Sequence, residues 1–570
     1  MANELNIRIA GEAGQGLQSI GGVLSHVLIR AGYYIFTHKD YMSRIRGGNN
    51  FFQIRAADSP VAAPRRECDI ICALDKESPA VHGDALAEGG VLVYDADTYG
   101  ERQGPAGLHN VPLQALAKEA GGKKLYVNAV ACGLISGLAG IDRSLVETVL
   151  AEQFESKGEE IVQKNKDAAG AGYDFASRLN AGDRFAVKAP GRTGELLLDG
   201  NESIALGALA AGCRFYSAYP MTPATSIMNV LAHYAHDEHL VVEQAEDEIA
   251  AVTMAIGASF AGVRAMTGTS GGGFALMGEG VSLAAMTETP LVLVDSQRPA
   301  PATGLPTRTE QADLDFLIHA GHGEFARAVF SPGSIEECFT VTAHAFNLAD
   351  TFQIPVMIMT DQQQADARYN INDLPRDRIE VSRHIIGKRE SENVTEYHRY
   401  RLEEGGVSPR AVPSWIPGVI YADSDEHTEE GHITEDGGVR TSMVEKRFHL
   451  KEKRLREEIL PPVPFRVEDA RVVLLGFGST RNVLREVCER LSEKHVGCIH
   501  FPQVWPFPAK QLGDLLPPDA RIMTVENNAG GQLARLVRLE AGIDAEPGVL
   551  KYDGRPFTVD ELVDELNKRM

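Results

Sequence analysis

LVVEQAEDEIAAVTMAIGASFAG, residues 240–262, decides how the rest of the chain is read. A β-branched run gives way to acidic residues and then to a long helical pattern of small side chains. Strand, polar turn and helix in that order form one repeat of a parallel α/β sheet. The helix is predicted to begin near Asp247, which puts Glu248 in its first turn. A carboxylate there gains from the helix dipole whether or not it has another use. Glu243, Glu246 and Glu248 fall within six positions. Three carboxylates so close cannot all be buried, so at most one is a catalytic residue. Ala250, Ala251, Ala255, Gly257 and Ala258 let another backbone or subunit approach the helix closely.

Working outward, CRFYSAYP (213–220), RAMTGTS (264–270), PLVLVDS (290–296) and PVMIMTD (355–361) read as further strands. Towards the N-terminus, LNIRIAG (5–11), CDIICAL (68–74) and GGVLVYD (89–95) repeat the pattern, with a helix over GLQSIGGVLSHVLIRAG (16–32). Towards the C-terminus, RVVLLGFGS (471–479), GCIHFPQ (497–503) and RIMTVEN (521–527) alternate with helices. The expected fold is α/β, with three parallel-sheet α/β domains. Their spans are 1–185, 195–385 and 463–570. A Gly/Pro-rich linker, AGDRFAVKAPGRTG (181–194), separates the first two. Residues 386–460 are charge-dense and turn-rich, and are read as a connecting arm with one exposed helix.

Bulk composition narrows the function. The formal charge is −23, from 56 basic and 79 acidic residues, which argues against a nucleic-acid or anionic-membrane partner. The 7 cysteines are scattered and form no CxxC, so neither a disulfide framework nor a cluster ligand set is implied. Cys68 and Cys72 lie in a strand-like run and are read as core residues. No signal peptide and no membrane-spanning run is read, so a cytoplasmic protein is expected. His427 and His432 sit in DEHTEEGHITED (425–436), without zinc-like spacing, and are read as part of a solvated acidic loop.

Four further stretches carry candidate chemistry. Gly11-Glu12-Ala13-Gly14-Gln15-Gly16 joins a strand to a helix, which suits either a phosphate cradle or a tight turn. Its GxxGxG spacing is not the dinucleotide GxGxxG. In Tyr219-Pro220-Met221-Thr222-Pro223 two prolines stiffen the backbone around a hydroxyl at a strand end. TGTSGGGFALMGEG (267–280) places Gly271 and Gly272 in a turn that a ligand can approach. DSQRPAPATGLPTRTEQAD (295–313) holds Arg298, Thr307 and Arg308 on a stiffened loop, and an arginine so held is suited to bidentate carboxylate recognition.

In their order along the chain these stretches resemble the 2-oxoacid:acceptor oxidoreductases. GEAGQGLQSIGG (11–22) and SRIRGGNNFF (43–52) look like the start of a γ domain. YPMTPAT (219–225) is similar to the family's YPITP element. EDEIAAVTMAIGASFAG and TGTSGGGFALMGEG look like a thiamine pyrimidine-binding domain. LGFGS, FPQVWPFP (501–508) and VENNAGGQL (525–533) resemble the transketolase C-terminal-like domain. The γ-then-α order is most like the 2-oxoglutarate enzymes.

The resemblance implies thiamine diphosphate, whose aminopyrimidine needs a carboxyl group at one ring nitrogen. Glu248 matches that position, with Glu246 as the fallback, and Tyr219, Pro220, Gly271 and Gly272 line the cofactor. Arg298 is then the substrate carboxylate clamp, with Thr222 and Thr307 around the keto group and Arg308 for a distal carboxylate. Gly11, Gly14, Gln15 and Gly16 fall on the coenzyme A side. No GDG…N element and no cysteine set is present. The resemblance therefore puts Mg2+, the cofactor's diphosphate and a 4Fe-4S cluster on a β subunit, with ferredoxin as acceptor and a dimer of heterodimers as the assembly. The helices over 250–290 are the expected docking face. A transketolase-type enzyme would need a metal–diphosphate element in this chain. A non-enzymatic coenzyme A- or nucleotide-binding protein would leave YPMTPAT and TGTSGGG unused.

Overall fold

The computed structural model describes residues 4–42, 47–102, 104–179, 184–191 and 196–570. Ser43–Arg46 of SRIRGGNNFF and parts of the 181–194 linker lie outside them. The chain forms two compact units: Met1–Leu198 with Ala367–Asp373 and Thr558–Asp564, and Asp199–Asp366 with Leu374–Phe557 and Glu565–Met570.

The first unit is built on an eight-stranded sheet. Its order is Leu108–Asn110, Leu86–Tyr94, Cys68–Ala73, Glu4–Ala13, Gly47–Ala57, Tyr34–Asp40, Arg368–Ile371 and Leu196–Leu198. Four strands are parallel, as the sequence predicts. The remainder pair antiparallel, so this sheet is mixed. The Tyr34–Asp40/Gly47–Ala57 pair was not read in the sequence. Leu196–Leu198 and Arg368–Ile371, which the sequence assigns to the next region, also complete this sheet.

Period two sorts the two faces of the Glu4–Ala13 strand. Leu5, Ile7 and Ile9 are buried in the core shared with Ile20, Val23, Leu24 and Val27 of the Leu17–Arg30 helix. Each such side chain contributes about 1.5–3 kcal/mol on burial. Asn6 and Arg8 alternate with them. Arg8 donates to Gln53 at 2.7 Å and stacks over Phe51 at 4.4 Å, which explains how a guanidinium is accommodated there.

The second unit holds two sheets. The seven-stranded one runs Gln503–Trp505, Ala328–Phe330, Pro355–Asp361, Leu291–Gln297, Ala265–Thr269, Phe215–Ala218, Val241–Gln244. All of it is parallel except Gln503–Trp505, which arrives from the C-terminal segment. The five-stranded sheet runs Val463–Phe465, Val496–Phe501, Val472–Phe477, Arg521–Glu526, Glu546–Leu550, with only the first antiparallel. One hydrophobic core spans both, from Ala251 and Leu293 to Val473 and Leu536.

The charged arm departs from its expected character. Its helical stretch over Gly437–Leu455 is not an exposed helix, because Lys446 and Lys451 are both 1% exposed. Each donates to a different oxygen of the wholly buried Glu288 at 2.6 Å. The two lysines are five residues apart, which an α-helix would splay to different faces. Glu445–Leu450 is a π-helical turn, and its larger number of residues per turn brings both onto one side. Arg399 adds a bond to the Glu288 carbonyl at 2.6 Å. A second buried acid, Asp350, takes Arg410 at 2.7 Å and Arg264 at 2.9 Å. The 425–436 loop is likewise not simply solvated: His427 is buried against Tyr400, and Glu426 pairs with Arg440 and Arg447.

All seven cysteines are buried. Among the described residues no helix is long and apolar enough to cross a membrane, and no group of three or more His, Cys, Asp and Glu is placed to hold a metal ion.

Candidate active site

The carboxyl ends of the seven-stranded sheet carry the motifs, at the edge where parallel α/β sheets hold ligands. The Phe215–Ala218 strand runs into YPMTPAT, Val241–Gln244 into the acidic turn, Ala265–Thr269 into the triple glycine, and Leu291–Gln297 into the Arg298 loop.

Asp247 caps the helix Glu248–Phe260, its side chain accepting the Ala250 N–H at 2.8 Å. The cap makes Glu248 the first helical residue and turns it inward, to 3% exposure. Glu243 and Glu246 are exposed. The Oε1 of Glu248 has no hydrogen-bond partner. A buried polar atom left open in this way costs about 1–3 kcal/mol, and such atoms call for a specific explanation. Gly273 walls the same carboxyl: a Cβ there would overlap both the Glu248 Oε1 and the Thr269 hydroxyl. A carboxyl with one oxygen open, backed by glycine, fits the ring nitrogen of an aminopyrimidine.

The YPMTPAT turn is pinned from below. Asn201, wholly buried, donates to the Pro223 carbonyl at 3.0 Å and to Ser226 Oγ at 2.7 Å. Arg298 Nη1 donates to the Thr222 carbonyl at 2.8 Å, so these two residues meet. Burial lowers the pKa of Arg298. Tyr219 is exposed and Pro220 half-buried. Gly271 is half-buried, and a Cβ on the exposed Gly272 would meet only the Ala302 carbonyl, at 3.8 Å. Thr307 is half-buried, while Arg308 is buried beside Gly554.

In the first unit, the glycine-rich turn closes on itself. The Gln15 side-chain oxygen accepts the Glu12 N–H at 2.9 Å, over Gly11, while Gly14 has a φ of 91°. Gly16 has a φ of 82°, a left-handed conformation that suits glycine, just before the Leu17–Arg30 helix. No side chain caps that helix, so its first-turn N–H groups are open to an anion.

The sequence reading missed Asn201, Thr269, Asp295 and Asp313. Asp295 is wholly buried two residues before the end of the Leu291–Gln297 strand, and an acid inside an apolar strand run was a usable signal. Asp313 lies under the triple glycine, where a Cβ on Gly271 would overlap its carboxyl.

Comparisons with known proteins show the family. Residues 206–446 match the family model described as pyruvate flavodoxin/ferredoxin oxidoreductase, thiamine diphosphate-binding. Residues 6–175 match the model described as pyruvate ferredoxin/flavodoxin oxidoreductase. These matches define a class, the thiamine-dependent oxidoreductases of 2-oxoacids. The 2-oxoacid:ferredoxin oxidoreductase subunit alpha of Sulfolobus sp is 31% identical, over 98% of this chain and 96% of that protein. The 2-oxoglutarate synthase subunit KorA of Methanothermobacter marburgensis is 33% identical, over 66% of this chain and 99% of that protein. The solved 2-oxoglutarate:ferredoxin oxidoreductase from Magnetococcus marinus, with 2-oxoglutarate, coenzyme A and succinyl-CoA bound, superimposes with a TM-score of 0.92. It is 32% identical, covering 99% of each chain. The chain belongs to the 2-oxoacid:ferredoxin oxidoreductase family.

Proposed function

We propose that the chain is a fused γ/α subunit that oxidatively decarboxylates 2-oxoglutarate. In the overall reaction, 2-oxoglutarate, coenzyme A and two oxidised one-electron ferredoxins give succinyl-CoA, carbon dioxide, two reduced ferredoxins and a proton, or run in reverse to fix carbon dioxide. In this reading residues 1–185 are the γ domain, 195–385 the pyrimidine-binding domain, 386–460 the arm and 463–570 the transketolase C-terminal-like domain. The observation that carries it is the buried Glu248 carboxyl with one oxygen open beside Gly273. The substrate choice is supported by the likeness to the Magnetococcus marinus enzyme and to KorA.

Thiamine diphosphate, when bound, supplies the electron sink for decarboxylation. Glu248 holds the proton shared with the aminopyrimidine, and its burial keeps water from competing for it. Arg298, fixed on one side by the Thr222 carbonyl, turns its remaining N–H groups to the substrate carboxylate. Thr222 and Thr307 supply hydroxyls for the keto oxygen. Tyr219, Pro220, Gly271 and Gly272 line the cofactor. Arg308 answers the distal carboxylate. Gly11, Gly14, Gln15 and Gly16 form the turn on the coenzyme A side. Mg2+ and the 4Fe-4S cluster sit on a β subunit, which docks on the face where Ile249, Met254 and Leu276 are exposed. The assembly is a cytoplasmic dimer of heterodimers.

The test is a viologen-coupled assay with coenzyme A and a panel of 2-oxoacids, on the chain alone and with its β subunit. Activity only in the complex, highest on 2-oxoglutarate, is expected. Pyruvate, branched or aryl acids form the second reading, favoured by the broader 2-oxoacid name of the Sulfolobus relative. Higher rates on those acids overturn the substrate assignment. A complex carrying cofactor and cluster that turns over none of the acids overturns the function.

A further inference from the structure

Behind the Glu248 turn lies a second acidic contact of a different kind. Neither carboxylate oxygen of the wholly buried Asp295 receives an N–H or a neutral hydroxyl. The group that faces it is the Asp313 carboxyl, itself 8% exposed. Two carboxylates in contact without any other donor require a proton between them, since both cannot be charged in so dry a place.

The surroundings agree. Burial raises Asp295 well above the carboxylate range, and the neighbouring Asp313 adds to it. Burial also raises Asp313, to about 6, with the nearby charge of Glu310 contributing. Glu310 is itself raised by burial. Among the described residues, the charged groups acting on the pair are each other and Glu310. Near neutral pH the pair therefore carries one proton and one negative charge.

The position of the pair is what gives it a use. Asp295 lies two residues before the end of the strand that leads to Arg298, and Asp313 closes the loop that Arg298 opens. The Asp313 N–H is held by Gln297 Oε1 at 2.9 Å, which ties the two ends of that loop together. On its other side the Asp313 carboxyl supports Gly271, at the head of the turn whose Gly273 backs Glu248. Thr269, which also touches the Gly273 wall, is the register partner of Asp295 in the adjoining parallel strand. Strand partners of this kind present their side chains on one face.

We propose that Asp295 and Asp313 are positioning residues, a proton-bridged latch that joins the Arg298 loop to the Gly271–Gly273 turn and so keeps the substrate clamp in register with Glu248. This rests on the reading of Glu248 and Arg298 as cofactor and substrate residues. The latch holds while the shared proton is present. Removing it leaves two like charges in contact, and the loop and the turn separate.

The test uses the complex with its β subunit and the variants Asp313→Asn, Asp313→Ala, Asp295→Asn and Glu248→Gln. Infrared difference spectra near neutral pH are expected to show a protonated carboxyl band that Asp313→Asn and Asp295→Asn both remove. Thiamine diphosphate affinity and the KM for 2-oxoacid are expected to weaken at alkaline pH in the wild type. Asp313→Asn should abolish that alkaline loss while keeping near-normal values, because its amide N–H replaces the shared proton without titrating. Asp313→Ala should raise KM at least tenfold with a smaller change in kcat. Absence of the band, or an alkaline profile unchanged in Asp313→Asn, overturns the latch. Normal turnover in Glu248→Gln instead overturns the reading on which it rests, and the infrared result judges the pair independently.

Discussion

Glu248 and Glu288 are both buried glutamates of the second unit, and their surroundings are opposite. Glu288 has each oxygen filled by a lysine. Burial works against its charge, but Lys446, Lys451 and Arg399 more than offset this and hold it well below the usual carboxylate range. Glu248 has an oxygen with no donor at all. A buried acid with every acceptor filled holds elements together. At Glu248 the open oxygen faces Gly273 rather than a second acid, as at Asp295, and is kept for something that binds. Their partners separate these two glutamates, where burial does not.

The comparison breaks or holds on measurable differences. The largest concerns turnover: Glu248→Gln should lower kcat by about 10²–10⁴-fold. Its unfolding free energy should stay within about 0.5 kcal/mol of the wild type, because no bond to the carboxyl is lost. A Glu248→Gln enzyme that is destabilised yet active would collapse the distinction. Glu288→Ala should do the reverse, costing about 3–5 kcal/mol in denaturant unfolding by leaving two buried lysines unpaired. Where it still folds, its kcat should be close to normal.

A smaller effect belongs to the substrate loop. Arg298→Lys keeps the charge but loses the planar fork, so KM for the 2-oxoacid should rise about tenfold, or ~1.4 kcal/mol. An equal loss in kcat at constant KM would place Arg298 outside substrate binding. The smallest is a difference in pH dependence. The lowered pKa of Glu288 contributes stability that is full above the ordinary carboxylate range and lost as pH falls through the depressed value. Asp313, raised to about 6, contributes stability present below the ordinary value and lost as pH rises through about 6, where the pair gives up the first of its two protons; the shared one stays until alkaline pH. Thermal unfolding across pH should show both limbs, with Asp313→Asn removing only the upper one.

Local patterns made the site legible and long-range pairing hid the rest. The small-residue helix, the proline-stiffened turn and the triple glycine are features of adjacent residues, so their strand-end placement followed from the α/β repeat. The choice between Glu246 and Glu248 was left open, because burial depends on where the helix starts. The Asp247 cap fixes that start. The arm misled for the opposite reason. Lys446, Lys451 and Arg410 look solvated in a charge-rich stretch, and the acids that bury them, Glu288 and Asp350, come from elsewhere in the chain. Asp295 and Asp313 likewise share a contact across a loop. Leu196–Leu198, Arg368–Ile371 and Gln503–Trp505 are strands of three or four residues, too short to show a period.

The make-up of the first sheet bears on the order of synthesis. Its edge beyond Tyr34–Asp40 is supplied by Arg368–Ile371, and Val559 of the far C-terminal segment bonds to the Pro64 carbonyl. The ribosome therefore releases most of the first unit long before the pieces that finish it. At about 5–20 residues per second the wait is on the order of half a minute. Through that interval Tyr34–Asp40 is an unpaired edge, open to pairing with another nascent chain. The unit that is begun first is closed only near the end of synthesis.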